Sequence, residues 1–175
     1  ITRGSPVANI DGLSLWLEPT LEESFDYKES DNNATVSVWK DVNPAVGIKS
    51  DAVNYTNSSK PIYIANGIAG LPSLQFDGVN DLLTVGMPYS NRVASNNFQI
   101  FIVAKTSATI TILTEIDSGI NAVSGQKYLI GPAHGGGDCA SNTAAGAGIS
   151  MGNNGITVAE HSGCYIPPIA VYSGT

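Results

Sequence analysis

The sequence predicts an all-β fold, an antiparallel two-sheet β-sandwich. Three observations carry this expectation. Short apolar or alternating runs recur along the chain, and Gly, Pro and Asn punctuate them. Helical periodicity is nearly absent, and many short strands with turns between them are the pattern of a sandwich. Finally, 42% of the residues are hydrophobic but only 13% are charged, against about 25% charged in an ordinary soluble domain. The polar surface is therefore built mainly from Ser, Thr, Asn and Gly, as in secreted β-rich binding proteins.

The elements follow in order. Residues 1–12 are a polar lead-in with Gly4, Pro6 and Gly12, and residues 13–175 form a single domain of a size that buries a sizeable core. LSLWLE (13–18) reads as a strand with Leu13, Leu15 and Leu17 on one face. Thr20 and Glu23 have the spacing of a capping box, which predicts a short helix over Thr20–Tyr27. TVSVWKDV (35–42) alternates as a strand until Asn43, Pro44 and Gly47 break it. Residues 50–60 read as a polar loop, and PIYIANG as a strand ending at Gly67. LPSLQF and DLLTV are two strands flanking an acidic Gly-Asn turn. FQIFIVAKT (98–106) is apolar on both faces and is expected at the centre of a sheet. TITILTEI and KYLIGPA continue the strands. HGGGDCASNTAAGAG is too Gly-rich for a packed element and reads as a long loop. GISMG, GITVAEH and YIPPIAVYSG are the last short strands.

Charge excludes some partners. Eight basic and fifteen acidic residues give a net charge of −7. An acidic surface repels phosphate, which argues against nucleic acid and anionic membranes. The chain contains no 18-residue apolar run of the kind that spans a membrane. Cys139 and Cys164 would be free thiols in a reducing compartment. In a chain of low charge rich in Gly, Ser and Asn a disulfide is favoured, closing a 24-residue loop and contributing about 3 kcal/mol. Three N-x-S/T sequons begin at Asn33, Asn54 and Asn57. In a eukaryotic secreted protein they would mark surface loops.

The blocks LSLWLEP, SVWKDVNP, NGIAGLPSLQFDGVNDLLTV, FQIFIVAKTS and GISMGNNGITVAEHSGCYIPPIAVYSGT together resemble the concanavalin A-like, laminin G-like jelly-roll family, over about residues 12–175. FDGVND is the most specific of these, whereas the flanking strands are generic. The resemblance implies a jelly-roll sandwich with ligand-binding rim loops. Such domains continue with a further strand pair beyond the equivalent of YSGT, so the expected sandwich is incomplete at its C-terminus or is completed by another chain. TRGSPVANIDGLSLWLEPTLEESFD also resembles the segment that follows the hydrophobic N-terminal helix of pseudopilin-like proteins. That likeness implies a filament or secretion-system context.

The candidate ligand-binding residues are Asp77, Asn80, Asp81, Tyr89, His134 and Asp138. Some laminin G-like domains bind calcium through rim carboxylates, so the resemblance makes Asp77 and Asp81 metal candidates. The competing reading is turn formation alone, since Asp-Gly and Asn-Asp are strong turn formers. TEIDSGI (114–120) resembles the catalytic strand of laminarinase-type hydrolases, which share this fold. Glu115 and Asp117 match it, but Ile120 stands where the acid/base carboxylate belongs. Retaining hydrolysis needs that carboxylate about 5 Å from its partner, so no hydrolase is expected. His134 and His161, the only histidines, lack metal-ligand spacing, and His161 reads as structural. Trp16 and Trp39 lie within strand patterns and are expected in the core. Tyr55, Tyr63 and Tyr89 lie nearer loops, freer to touch a ligand. The sequence-level expectation is thus a non-catalytic extracellular recognition module, most simply for glycans. The alternative is a structural subunit of a pilus-like assembly, whose partners are other copies of itself or filament subunits.

Overall fold

A computed structural model describes residues 6–86, 99–107, 128–130, 146–152, 155–161 and 170–173. The chain divides into two compact units, Ile1–Ile102 and Val103–Thr175. The class is β-rich: the described residues form three small antiparallel sheets and a few 3₁₀ turns.

In the first unit β1 (Val38–Trp39), β2 (Ala52–Val53) and β5 (Thr84–Val85) form one sheet in the order β1-β2-β5. β3 (Ile62–Ile68) and β4 (Leu71–Gln75) form a hairpin whose register shifts between Ile64 and Ile68. Its turn residues Ala69 and Gly70 both have positive φ, 52° and 78°. This is the requirement of a tight hairpin turn whose twist matches that of the strands. Of the two strands predicted on either side of the acidic turn, LPSLQF forms β4 and DLLTV shrinks to the two residues of β5, and they pair elsewhere, β4 with β3 and β5 with β2. In the second unit β6 (Tyr128–Ile130), β7 (Gly146–Gly152), β8 (Gly155–His161) and β9 (Ala170–Ser173) form a four-stranded sheet in sequence order.

The core of the first unit is small. Phe25, Val36 and Tyr63 are buried together, with Trp39, Ala65 and Leu74 packed against them. Phe25 meets Tyr63 edge-on, with ring centroids 5.2 Å apart and planes at 77°, a geometry aromatic quadrupoles favour. Tyr63 is therefore a core residue and not the loop-side ligand contact expected from its position. Trp39 packs on the core as expected, and Trp16 is half-buried.

Several expectations are corrected, among them the polar loop read over 50–60, which contains β2 with Ala52 buried. LSLWLE forms no strand, and its contact with β1's segment is a single bridge, Leu17 with Asp41. The Trp16 carbonyl accepts the Val42 N–H at 3.0 Å, but the Trp16 N–H donates to the Asp41 side chain at 3.2 Å. A carboxylate thus stands where the next backbone acceptor of a ladder would be. The expected helix over Thr20–Tyr27 shrinks to a 3₁₀ turn at Glu22–Ser24. Thr20 turns back to bond the Glu18 carboxylate through its hydroxyl at 2.7 Å and its N–H at 3.1 Å, so it caps nothing. β3 runs through Gly67 to Ile68, because Gly67 serves as a point of close approach to β4 and not as the turn. Of the run 98–106, expected as a central strand, the described residues 99–106 lie in no strand and are mostly exposed, Phe101 by 82%. An apolar run sets a preference for burial but supplies no hydrogen-bonding partner. The Gly-rich stretch before GISMG also contributes more than a loop, since β7 begins at Gly146. TITILTEI, with Glu115 and Asp117, lies outside the described residues.

Candidate functional site

The acidic turn is described in full. Asp77 Oδ1 accepts the N–H groups of Val79, Asn80 and Asp81 at 2.7, 3.1 and 3.2 Å. Asp81 Oδ2 accepts the Asp77 N–H at 2.8 Å, and Gly78 sits at φ 70°. The loop is closed by its own carboxylates, as Asx chemistry predicts. The structure brings Asp77, Asn80 and Asp81 together on an exposed turn. Calcium takes 6–8 oxygen ligands, and three N–H groups already point at Asp77 Oδ1. The arrangement therefore accounts for the pair as turn residues. Among the described residues no group of three or more His, Cys, Asp or Glu is placed to hold a metal ion. Tyr89, His134, Asp138, Cys139 and Cys164 lie outside the described residues.

A second locus has more of the character of a binding surface. Residues 22–31, EESFDYKESD, wrap an open groove of about 540 Å³ lined by Glu22, Glu23, Asp26, Tyr27, Lys28 and Asp31. Its base is fixed from below. Phe25 faces the core, and the Lys40 ammonium donates to the Phe25 carbonyl at 2.8 Å while pairing with Asp26 at 2.9 Å. Glu29 ties the far side to β1 by accepting the N–H groups of Ser37 at 3.0 Å and Val38 at 3.2 Å. Backbone bonds from Glu29 to Asp26 and from Asp31 to Lys28 close two tight turns.

On this frame Tyr27 points outward, 90% exposed. The Lys28 ammonium lies 5.2 Å from its ring centroid, within cation–π range. Lys28 itself has φ 65°. For a residue with a side chain that conformation costs about 1–2 kcal/mol, and such strain clusters at functional positions. The groove thus offers a flat ring beside carboxylate acceptors on a backbone held in place.

Sequence reasoning missed this locus. The Thr20–Glu23 spacing reads as the start of a short helix, and the available signal was an aromatic on each side of Asp26, Phe25 and Tyr27.

A third polar cluster is buried and serves structure. The Asp41 carboxylate accepts N–H groups from Trp16 at 3.2 Å, Asn43 at 3.0 Å and Ser50 at 3.1 Å. Asn43, fully buried, donates its side-chain amide to the Leu13 carbonyl at 2.7 Å and accepts the Ala45 N–H at 2.9 Å. Its backbone carbonyl accepts from the Lys49 ammonium. With donors converging on the carboxylate, this cluster gives three loops a common anchor.

No family model matches the chain, and neither the curated proteins nor the solved structures compared with it contain a match.

Proposed function

We propose that this chain is a non-catalytic extracellular recognition module for glycans, on a concanavalin A-like, laminin G-like sandwich. The observation that carries the reading is the outward Tyr27 ring set among the carboxylates of Glu22, Glu23 and Asp31 on a braced loop. A sugar ring presents C–H groups on one face and hydroxyls around its edge. The first stack on an aromatic face and the second donate to carboxylates, which is how a few convergent polar groups orient a ligand in a shallow site. The low charge content and the resemblance of the FDGVND block support the same reading. Glycan-array binding, with calcium and then with a chelator, tests it. The expected result is binding that Tyr27→Ala abolishes while the fold is retained. Binding lost with the chelator would move the site to Asp77 and Asp81, and no binding from a folded sample would overturn the reading.

A second reading, a structural subunit of a pilus-like assembly, draws on a different observation. Ile100, Phe101 and Ile102 are all exposed, Phe101 by 82%, and contiguous exposed apolar residues are the mark of a surface that is covered in use. Self-association measured by light scattering, and its loss in Phe101→Ser, tests this one.

A further inference from the structure

All three sequons satisfy the N-x-S/T pattern, but the fold makes them unequal. N-glycan transfer joins the asparagine Nδ2 to the anomeric carbon of a sugar carried on a lipid diphosphate. The Nδ2–C1 bond forms, the C1–O bond to the diphosphate breaks with its electron pair, and Nδ2 gives up one proton. For the folded protein to carry the glycan, the modified asparagine must turn its Nδ2 to solvent and keep its structural role with one hydrogen fewer.

Asn54, half-buried, turns its Nδ2 onto protein carbonyls and fails the second condition outright. Its Nδ2 donates to the carbonyls of Ser59 at 2.7 Å and Leu82 at 2.9 Å, and lies 3.0 Å from the Ser59 hydroxyl. Its Oδ1 accepts the Thr56 N–H at 2.8 Å. Two carbonyls on two different loops use both amide hydrogens. A glycan would remove one of them and stand between the loops it joins.

Asn33 and Asn57 meet both conditions. Asn33 is exposed on a tight turn at φ 68°, a conformation asparagine tolerates. Its backbone N–H is fixed to the Tyr63 carbonyl at 2.8 Å, so the turn does not depend on its side chain. Asn57 is exposed at the start of the 3₁₀ turn Asn57–Ser59. Only its Oδ1 is engaged, accepting from the Lys60 ammonium at 2.9 Å, which leaves the Nδ2 face open.

We infer that Asn33 and Asn57 are N-glycan acceptor sites and that Asn54, three residues from Asn57, is closed to modification in the folded protein. The inference rests on the extracellular placement proposed above. Its test imposes that route, so the two fail separately: glycan-array binding bears on the ligand reading and site occupancy bears on this one. The full chain is secreted from a eukaryotic host behind an added leader, and the folded fraction is treated with an amidase that converts each glycosylated Asn to Asp in heavy-oxygen water. Peptide mass spectrometry then reads the label. Label at Asn33 and Asn57 with none at Asn54 is expected. Thr35→Ala should remove one glycan and leave the Asn33 turn intact, and adding Asn57→Gln should remove the other. Label at Asn54 in the folded, secreted fraction, or an empty site at either Asn33 or Asn57, would overturn the inference.

Discussion

Asp77 and Asp81 hold each other's backbone. The Asp81 N–H donates to Asp77 Oδ1 at 3.2 Å, and the Asp77 N–H donates to Asp81 Oδ2 at 2.8 Å. The pair closes the turn reciprocally, as the two side chains of a capping box close a helix start. Asp77 has the larger share, since it also takes the N–H groups of Val79 and Asn80.

Asp77→Ala is therefore expected to destabilise the first unit by about 1–2 kcal/mol, on the scale of a lost cap. Asp81→Ala should cost less, about 0.5–1.5 kcal/mol for one hydrogen bond on an exposed turn. Urea unfolding curves for both variants check the order. If calcium shifts the wild-type midpoint and neither variant's, the turn is a metal site after all.

The buried Asp41 is expected to matter more. Asp41→Ala leaves the N–H groups of Trp16, Asn43 and Ser50 without their acceptor. Each buried unsatisfied donor costs about 1–3 kcal/mol, so the first unit should lose about 3 kcal/mol or more. The same unfolding curves test this, and a loss below that of Asp77→Ala would contradict it.

Gly67 faces Ser73 across the hairpin. A Cβ placed on Gly67 would lie 1.9 Å from the Ser73 hydroxyl oxygen and 2.9 Å from its Cβ. Gly67→Ala should cost about 1–3 kcal/mol, as overpacking does. Because the clash includes the Ser73 Cβ, Ser73→Gly should restore more of the loss than Ser73→Ala. A double-mutant cycle with no coupling between positions 67 and 73 would refute the contact.

Tyr63 gives an alkaline signature. Burial disfavours the phenolate and raises its pKa above the ordinary 10.0. As pH climbs past 10.0 the unfolded chain releases this proton before the folded one, and stability falls until the folded phenol also ionises. Below that pH the two states bind the proton equally and the contribution is flat. Tyr63→Phe should lower stability little at neutral pH and decline less steeply than wild type as pH rises above 10.0, measured by urea midpoints. Parallel curves would contradict the assignment.

Much of this was legible in the sequence where the determinants are local. The Asp77–Asp81 turn needs only its own side chains, and β3, β4, β7 and β8 follow from short apolar runs and turn residues. What escaped depends on distant partners. Leu13–Glu18 has the alternation of a strand, but Asp41 intercepts its ladder. In PIYIANG either face was apolar enough to be buried, and Phe25 decided in favour of Tyr63. The groove escaped because nothing in EESFDYKESD says which of Phe25 and Tyr27 turns inward.

The Asp41 anchor also bears on how the first unit breathes. The Leu13–Leu17 segment lies in no strand, and the bonds that hold it include Val42 to the Trp16 carbonyl, Trp16 to Asp41, and Asn43 to the Leu13 carbonyl. The Ser50 side of the same carboxylate is backed by Asp51, which accepts the Asp41 N–H at 2.8 Å, and by β2, which starts at Ala52. A segment without a ladder detaches at low free energy, whereas paired strands open only with the surrounding unit. Amide hydrogen exchange should thus be faster at Trp16 than at Ser50, although both amides donate to one carboxylate, and the N-terminal strap should be the first part of this unit to let go.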